Sequence, residues 1–109
     1  MSLTPQQIFE DKIATRLSEN PDVAEKINVA YQFKLTGDDG GDWAVDLREP
    51  PGAVTAGVVD GSDITITMEA SHFVDLVEGR LNGQMAFMTG KLKIDGNPAL
   101  ALKLQQLFG

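Results

Sequence analysis

Between Val29 and Leu47 the apolar side chains fall on every second residue. Val29, Tyr31, Phe33 and Leu35 alternate with Ala30, Gln32, Lys34 and Thr36. After Gly37-Asp38-Asp39-Gly40-Gly41-Asp42 the rhythm resumes with Trp43, Val45 and Leu47. A period of two marks strands with one face buried, and the turn-rich stretch between them predicts a hairpin loop. Such a ribbon needs a layer over its apolar face. Residues on either side supply it, because there the spacing changes to that of helices.

Upstream, Thr4-Pro5-Gln6-Gln7 opens a helix, with Thr4 as N-cap, Pro5 in the first turn and Gln7 completing a capping box. Phe9, Ile13 and Leu17 form its buried stripe. Asn20-Pro21 starts a short turn that runs to about Lys26. Downstream, Pro50-Pro51-Gly52 stops the second strand, and a third lies within residues 53–59. Asp60-Gly61-Ser62 turns the chain into a fourth strand, in which Ile64, Ile66 and Met68 alternate with Thr65 and Thr67. Ser71 caps a helix with Phe73, Leu76 and Val77 that ends at Gly79. Asn82 caps another with Met85, Ala86, Phe87 and Met88, ended by Gly90. Residues 91–95 form a fifth strand with Leu92 and Ile94 on one face.

Asn97 then caps a closing helix with Pro98 in its first turn, running to about Phe108. Leu100, Ala101, Leu104, Leu107 and Phe108 fall on a stripe about 120° wide, and Leu102 is left on the opposite side. The expected fold is α+β: one domain over residues 1–109, with a single five-stranded, largely antiparallel sheet and helices on one face. Short loops join the first four strands, which predicts antiparallel pairing through that part of the sheet.

Composition excludes several functions. There is no cysteine, hence neither a disulfide framework nor a thiolate metal site. His72 is the lone histidine; no cysteine is present for it to activate, and it reads as an ordinary surface residue. Asp38, Asp39 and Asp42 lack the spacing of a calcium loop. Gly90-Lys91 fails as a phosphate loop, because Met85 stands where Gly is needed and Leu92 where Ser or Thr is needed. No cofactor, metal site or catalytic residue is expected. The net charge of −7 argues against nucleic acid. It is also uneven. Residues 1–80 hold six basic and fifteen acidic residues, whereas residues 81–109 hold Lys91, Lys93 and Lys103 against Asp95 alone. That distribution suits a transient membrane surface or an anionic lipid head group. The opening residues do not form a signal peptide, no run is long enough to span a bilayer, and Leu107-Phe108-Gly109 is not a peroxisomal address, so the cytoplasm is the expected compartment. Oligomeric state is not legible. Tyr31 and Trp43, on inward strand positions, suit either core packing or a cavity wall.

One pattern resembles a known family. Gly90, Lys91, Leu92, Lys93, Ile94, Gly96, Asn97, Leu100, Ala101, Lys103, Leu104, Gln105 and Leu107 are similar to the C-terminal end of the sterol carrier protein type 2 domain. Asp63-Ile64-Thr65-Ile66-Thr67-Met68, Phe73, Leu76, Gly79, Asn82 and Ala86-Phe87 look like its upstream part. The resemblance implies a fold around an apolar tunnel, and non-enzymatic binding and transfer of sterols, fatty acyl chains or other lipids. It implies ligand contacts from Phe73, Leu76, Val77, Met85, Phe87, Met88, Leu92, Leu100, Leu104 and Phe108. The closing helix is expected to act as a gate, because its stripe of Leu100, Leu104, Leu107 and Phe108 can cover one end of the tunnel and a terminal helix opens at least cost. The alternatives are a lipid chaperone that presents a long-chain or prenyl intermediate to an enzyme, and a ligand-free interaction module.

Overall fold

A computed structural model describes residues 3–50 and 52–103. The chain begins as one continuous rod. It consists of α1 (Pro5–Gln7), a π-helical stretch (Ile8–Ile13) and α2 (Ala14–Glu19). The Thr4 hydroxyl accepts from the Gln7 amide at 3.2 Å, and the Gln7 side chain accepts from the Thr4 amide at 2.9 Å, completing the expected capping box. The wider π turn was not foreseen. It brings Ile8, as well as Phe9 and Ile13, onto the buried side. α3 (Asp22–Ile27) follows and closes at Asn28 in the left-handed conformation.

The strands are β1 (Ala30–Thr36), β2 (Gly41–Asp46), β3 (Ala53–Ala56), β4 (Ile64–Glu69) and β5 (Leu92–Gly96). Between β4 and β5 lie α4 (Ala70–Val77), capped at Glu69 rather than at Ser71, and α5 (Gly83–Met88). α6 (Pro98–Leu102) opens at Asn97 as expected and has Lys103 at its C-cap, short of the Phe108 expected from the sequence. Leu104, Leu107 and Phe108 lie outside the described residues.

All five strands form one open sheet in the order β3-β2-β1-β4-β5. Three of the four pairings are antiparallel, but β4 runs parallel to β1, with Tyr31 opposite Ile64 and Leu35 opposite Met68. The expectation of antiparallel pairing through the fourth strand is corrected here. The short segment after β3 is a crossover rather than a hairpin. It runs across the sheet to start β4 on the far side of β1. Gln32 holds it there. This side chain is buried; its amide nitrogen donates to the carbonyls of Trp43 and Gly57, each at 3.1 Å, and its oxygen accepts from the Val59 amide at 2.8 Å. Asp63 then fixes the start of β4: its carboxylate accepts from the Ala30 amide at 2.9 Å, and its own amide donates to the Ala30 carbonyl at 3.0 Å. Gly96 must pass this point with φ +127°, where a Cβ would stand 2.7 Å from the Asp63 carbonyl oxygen.

The other sheet face carries the core. Tyr31, Phe33, Val45, Ile64, Ile66 and Met68 meet Ile8, Phe9, Ile13, Leu17, Phe73 and Val74. Phe9 sits at the centre. It stacks on Trp43 at 5.0 Å and on Phe73 at 5.1 Å between ring centres, and meets Phe33 edge-on at 5.1 Å. Each such pair adds to the area it buries. No described helix is long and apolar enough to cross a membrane.

Candidate functional site

The residues expected to touch ligand share one region, where α4, α5 and α6 lie along β4 and β5. Local sequence builds it. In α4, Ala70, Phe73, Val74 and Val77 recur at i, i+3, i+4 and i+7 and turn toward the sheet. The Asn82 side chain accepts from the amides of Gln84 and Met85 at 2.9 and 3.1 Å and starts α5. Gly83 starts α5 beside α4, where even a Cβ would make only ordinary contact with the Leu76 Cδ1, at 3.5 Å. The Asn97 side chain accepts from the Ala99 amide at 2.9 Å and starts α6.

Within this region the predicted residues divide into three groups. Phe73 and Leu92 are buried in the core. Leu76, Val77 and Leu100 are half-buried and pack against its edge. Met85, Phe87 and Met88 are exposed, because Ala86 takes the inward position of α5. Leu104 and Phe108 lie outside the described residues. Leu81 and Ile94 pack against the same edge of the core and were not among the predicted contacts. Ile94 was legible in principle, since it shares the face of Leu92 two residues earlier. Leu81 stands alone in a turn, where no periodicity marks it.

Tyr31 joins the region from below. Its hydroxyl donates to the Leu100 carbonyl at 2.6 Å, so α6 is tied to the central strand across the core. Burial of the phenol pushes its ionisation well above the ordinary tyrosine range. Three clefts formed by described residues lie elsewhere. The first, about 460 Å³, opens between α2 and β3 and is lined by Ala14, Leu17, Pro21 and Val54. The others border Leu3, one beside α2 and one beside α4.

Catalytic groups are sparse here. His72 Nε2 stands 3.5 Å from a Glu69 carboxylate oxygen, and no bond to Nδ1 is seen among the described residues. No cluster of three potential metal ligands occurs among the described residues.

Hydroxysteroid dehydrogenase-like protein 2 from Bos taurus is 43% identical over 92 residues, covering 84% of this chain and 22% of that protein. The chain thus spans less than a quarter of the length of such relatives. The solution structure of sterol carrier protein domain 2 from Helicoverpa armigera is 34% identical, with a TM-score of 0.73, covering 99% of this chain and 91% of that one. The solution structure of sterol carrier protein-2 from Aedes aegypti, a complex with palmitate, is 26% identical, with a TM-score of 0.73 over 100% of this chain and 97% of that one. Residues 10–109 match the SCP-2 sterol transfer family, and with the shared α+β fold the chain belongs to it.

Proposed function

We propose that this chain binds a fatty acyl chain or a similar amphiphile in an apolar tunnel and transfers it without chemical change. The observation that carries the reading is the half-buried apolar margin of Leu76, Val77, Leu81, Ile94 and Leu100, laid against the core in a fold whose Aedes aegypti relative is a palmitate complex. These side chains are only half-buried at the edge of the core, so they can part and repack around an acyl chain. Removing its surface from water drives binding, at about 25 cal/mol per Å². Phe73 and Leu92 form the floor of this tunnel, and α6, held at Leu100, lies over one end. With no nucleophile and base brought together at this margin among the described residues, the expected outcome is carriage rather than turnover.

Displacement of a fluorescent fatty acid by palmitate, with native mass spectrometry of the same sample, tests the reading. Saturable binding of one acyl chain supports it; no binding across several chain lengths overturns it.

A second reading, that the domain presents its lipid to an enzyme, is favoured by the matched relative named hydroxysteroid dehydrogenase-like protein 2, of which this stretch is only a part. Stable capture of a dehydrogenase by the lipid-loaded chain would favour it over free transfer.

A further inference from the structure

β3 forms one border of the sheet, and no strand lies beyond it among the described residues. Its pairing with β2 runs unbroken from Trp43 opposite Ala56 to Asp46 opposite Ala53. The Gly57 amide donates to the Asp42 carbonyl at 2.7 Å, which sets the phase of the ladder. In an antiparallel pair, the main-chain groups of successive residues point alternately toward and away from the partner strand. Ala53 and Thr55, in step with Gly57, therefore face β2. The amides and carbonyls of Val54 and Ala56 point out of the sheet, and they have no partner among the described residues. Edge strands are commonly guarded by charge, proline or a bulge. Ala53-Val54-Thr55-Ala56 has none of these.

An apolar cleft lies beside this edge. Val54 stands opposite the core residue Val45 and so faces the helix layer, where it borders the cleft with Ala14, Leu17 and Pro21. A strand added beyond β3 would set every second side chain in the layer of Val54, over that cleft. The charge around the edge is largely of one sign. Residues 41–63 hold Asp42, Asp46, Glu49, Asp60 and Asp63 against Arg48 alone. The Arg48 guanidinium forks onto Asp46 at 2.8 and 2.9 Å, so its charge is already matched. Glu49 and Asp42 are exposed and stand at the two ends of β3. At one end the Gly52 amide donates to the Glu49 carbonyl at 2.9 Å; at the other, Asp42 lies opposite Gly57.

We propose that the open edge of β3 takes up an extended segment of a partner protein, with apolar residues at alternate positions and a basic residue at each end. Main-chain bonds to Val54 and Ala56 hold it, the cleft selects its apolar side chains, and Asp42 and Glu49 meet its charges. A second copy of the chain fits worse, because pairing β3 with itself sets acids against acids at both ends. An acyl chain in the cleft would leave the outward amides and carbonyls of Val54 and Ala56 unbonded. The acyl margin proposed above lies along β4 and β5, at the other border of the sheet, so the two sites can be tested apart.

The probe is a synthetic peptide of alternating valine and threonine with lysine at both ends and blocked termini. Titrated into the isotope-labelled full chain, it should shift the amide signals of Val54 and Ala56 and slow their hydrogen exchange, with little change in β5. Glutamate in place of lysine should weaken binding about tenfold. Ala56→Pro should do the same, because it removes an outward donor and spares the bonds to β2. Should that variant fail to fold, methylation of the peptide's own amides on the side facing β3 makes the same test with the unaltered protein. Absence of a saturable shift at Val54 and Ala56 overturns the proposal. So does equal binding of the glutamate peptide or of the methylated one. Palmitate shifting these two amides where the peptide does not would give the cleft to lipid. A dimer in sedimentation velocity that Ala56→Pro dissociates would give the edge to a second copy. Either result also overturns the proposal.

Discussion

The hydroxyl of Tyr31, on the central strand, donates to the main-chain carbonyl of Leu100 at 2.6 Å and ties the closing helix to the sheet. Tyr31→Phe keeps the ring packing and leaves that carbonyl without its partner. Urea denaturation should show a loss of about 1–2 kcal/mol, and amides of α6 should exchange faster than those of β1. Tyr31 is the only tyrosine in the chain, so its ionisation can be followed alone. Burial raises its folded pKa above the unfolded value of about 10. Below that value both states hold the proton and stability is unaffected by this group. Above it the unfolded state releases the proton first, and stability falls as pH rises. The urea midpoint should therefore decline more steeply above about pH 10 in the unaltered protein than in Tyr31→Phe.

Gln32→Leu removes the side chain that holds the crossover between β3 and β4. The Val59 amide and the Trp43 and Gly57 carbonyls would lose a buried partner. The expected cost is about 2–3 kcal/mol by chemical denaturation. Protection of the Val59 amide from exchange should drop before that of the strands.

Phe9→Ala opens a cavity where three aromatic contacts converge. A loss of about 3–5 kcal/mol is expected. Trp43 is the only tryptophan and stacks on Phe9, so its emission should shift to longer wavelength even in the folded variant.

Leu76→Ser replaces a half-buried residue of the proposed acyl-chain margin. Palmitate affinity should fall about tenfold, or about 1.4 kcal/mol, in displacement titrations.

Local sequence settled the pieces of this molecule. Thr4, Asn82 and Asn97 cap their helices because a short polar side chain reaches the free amides of the next turn. Tyr31, Phe33 and Leu35 share a face because strand side chains alternate. The motif from Gly90 to Leu107 marked the family. Tertiary structure alone decided how the pieces meet. β4 takes the place beside β1, where Ile64, Ile66 and Met68 join the layer of Tyr31 and Phe33, and the crossover that carries the chain there makes the pairing parallel. Gln32 reads as a solvent-facing strand residue, and only the crossover above it made it a buried anchor. The pattern around Met85, Phe87 and Met88 spelled an apolar helix without saying which side meets the protein. Close packing beside β5 admitted the smallest side chain, Ala86, and left the three larger ones outside.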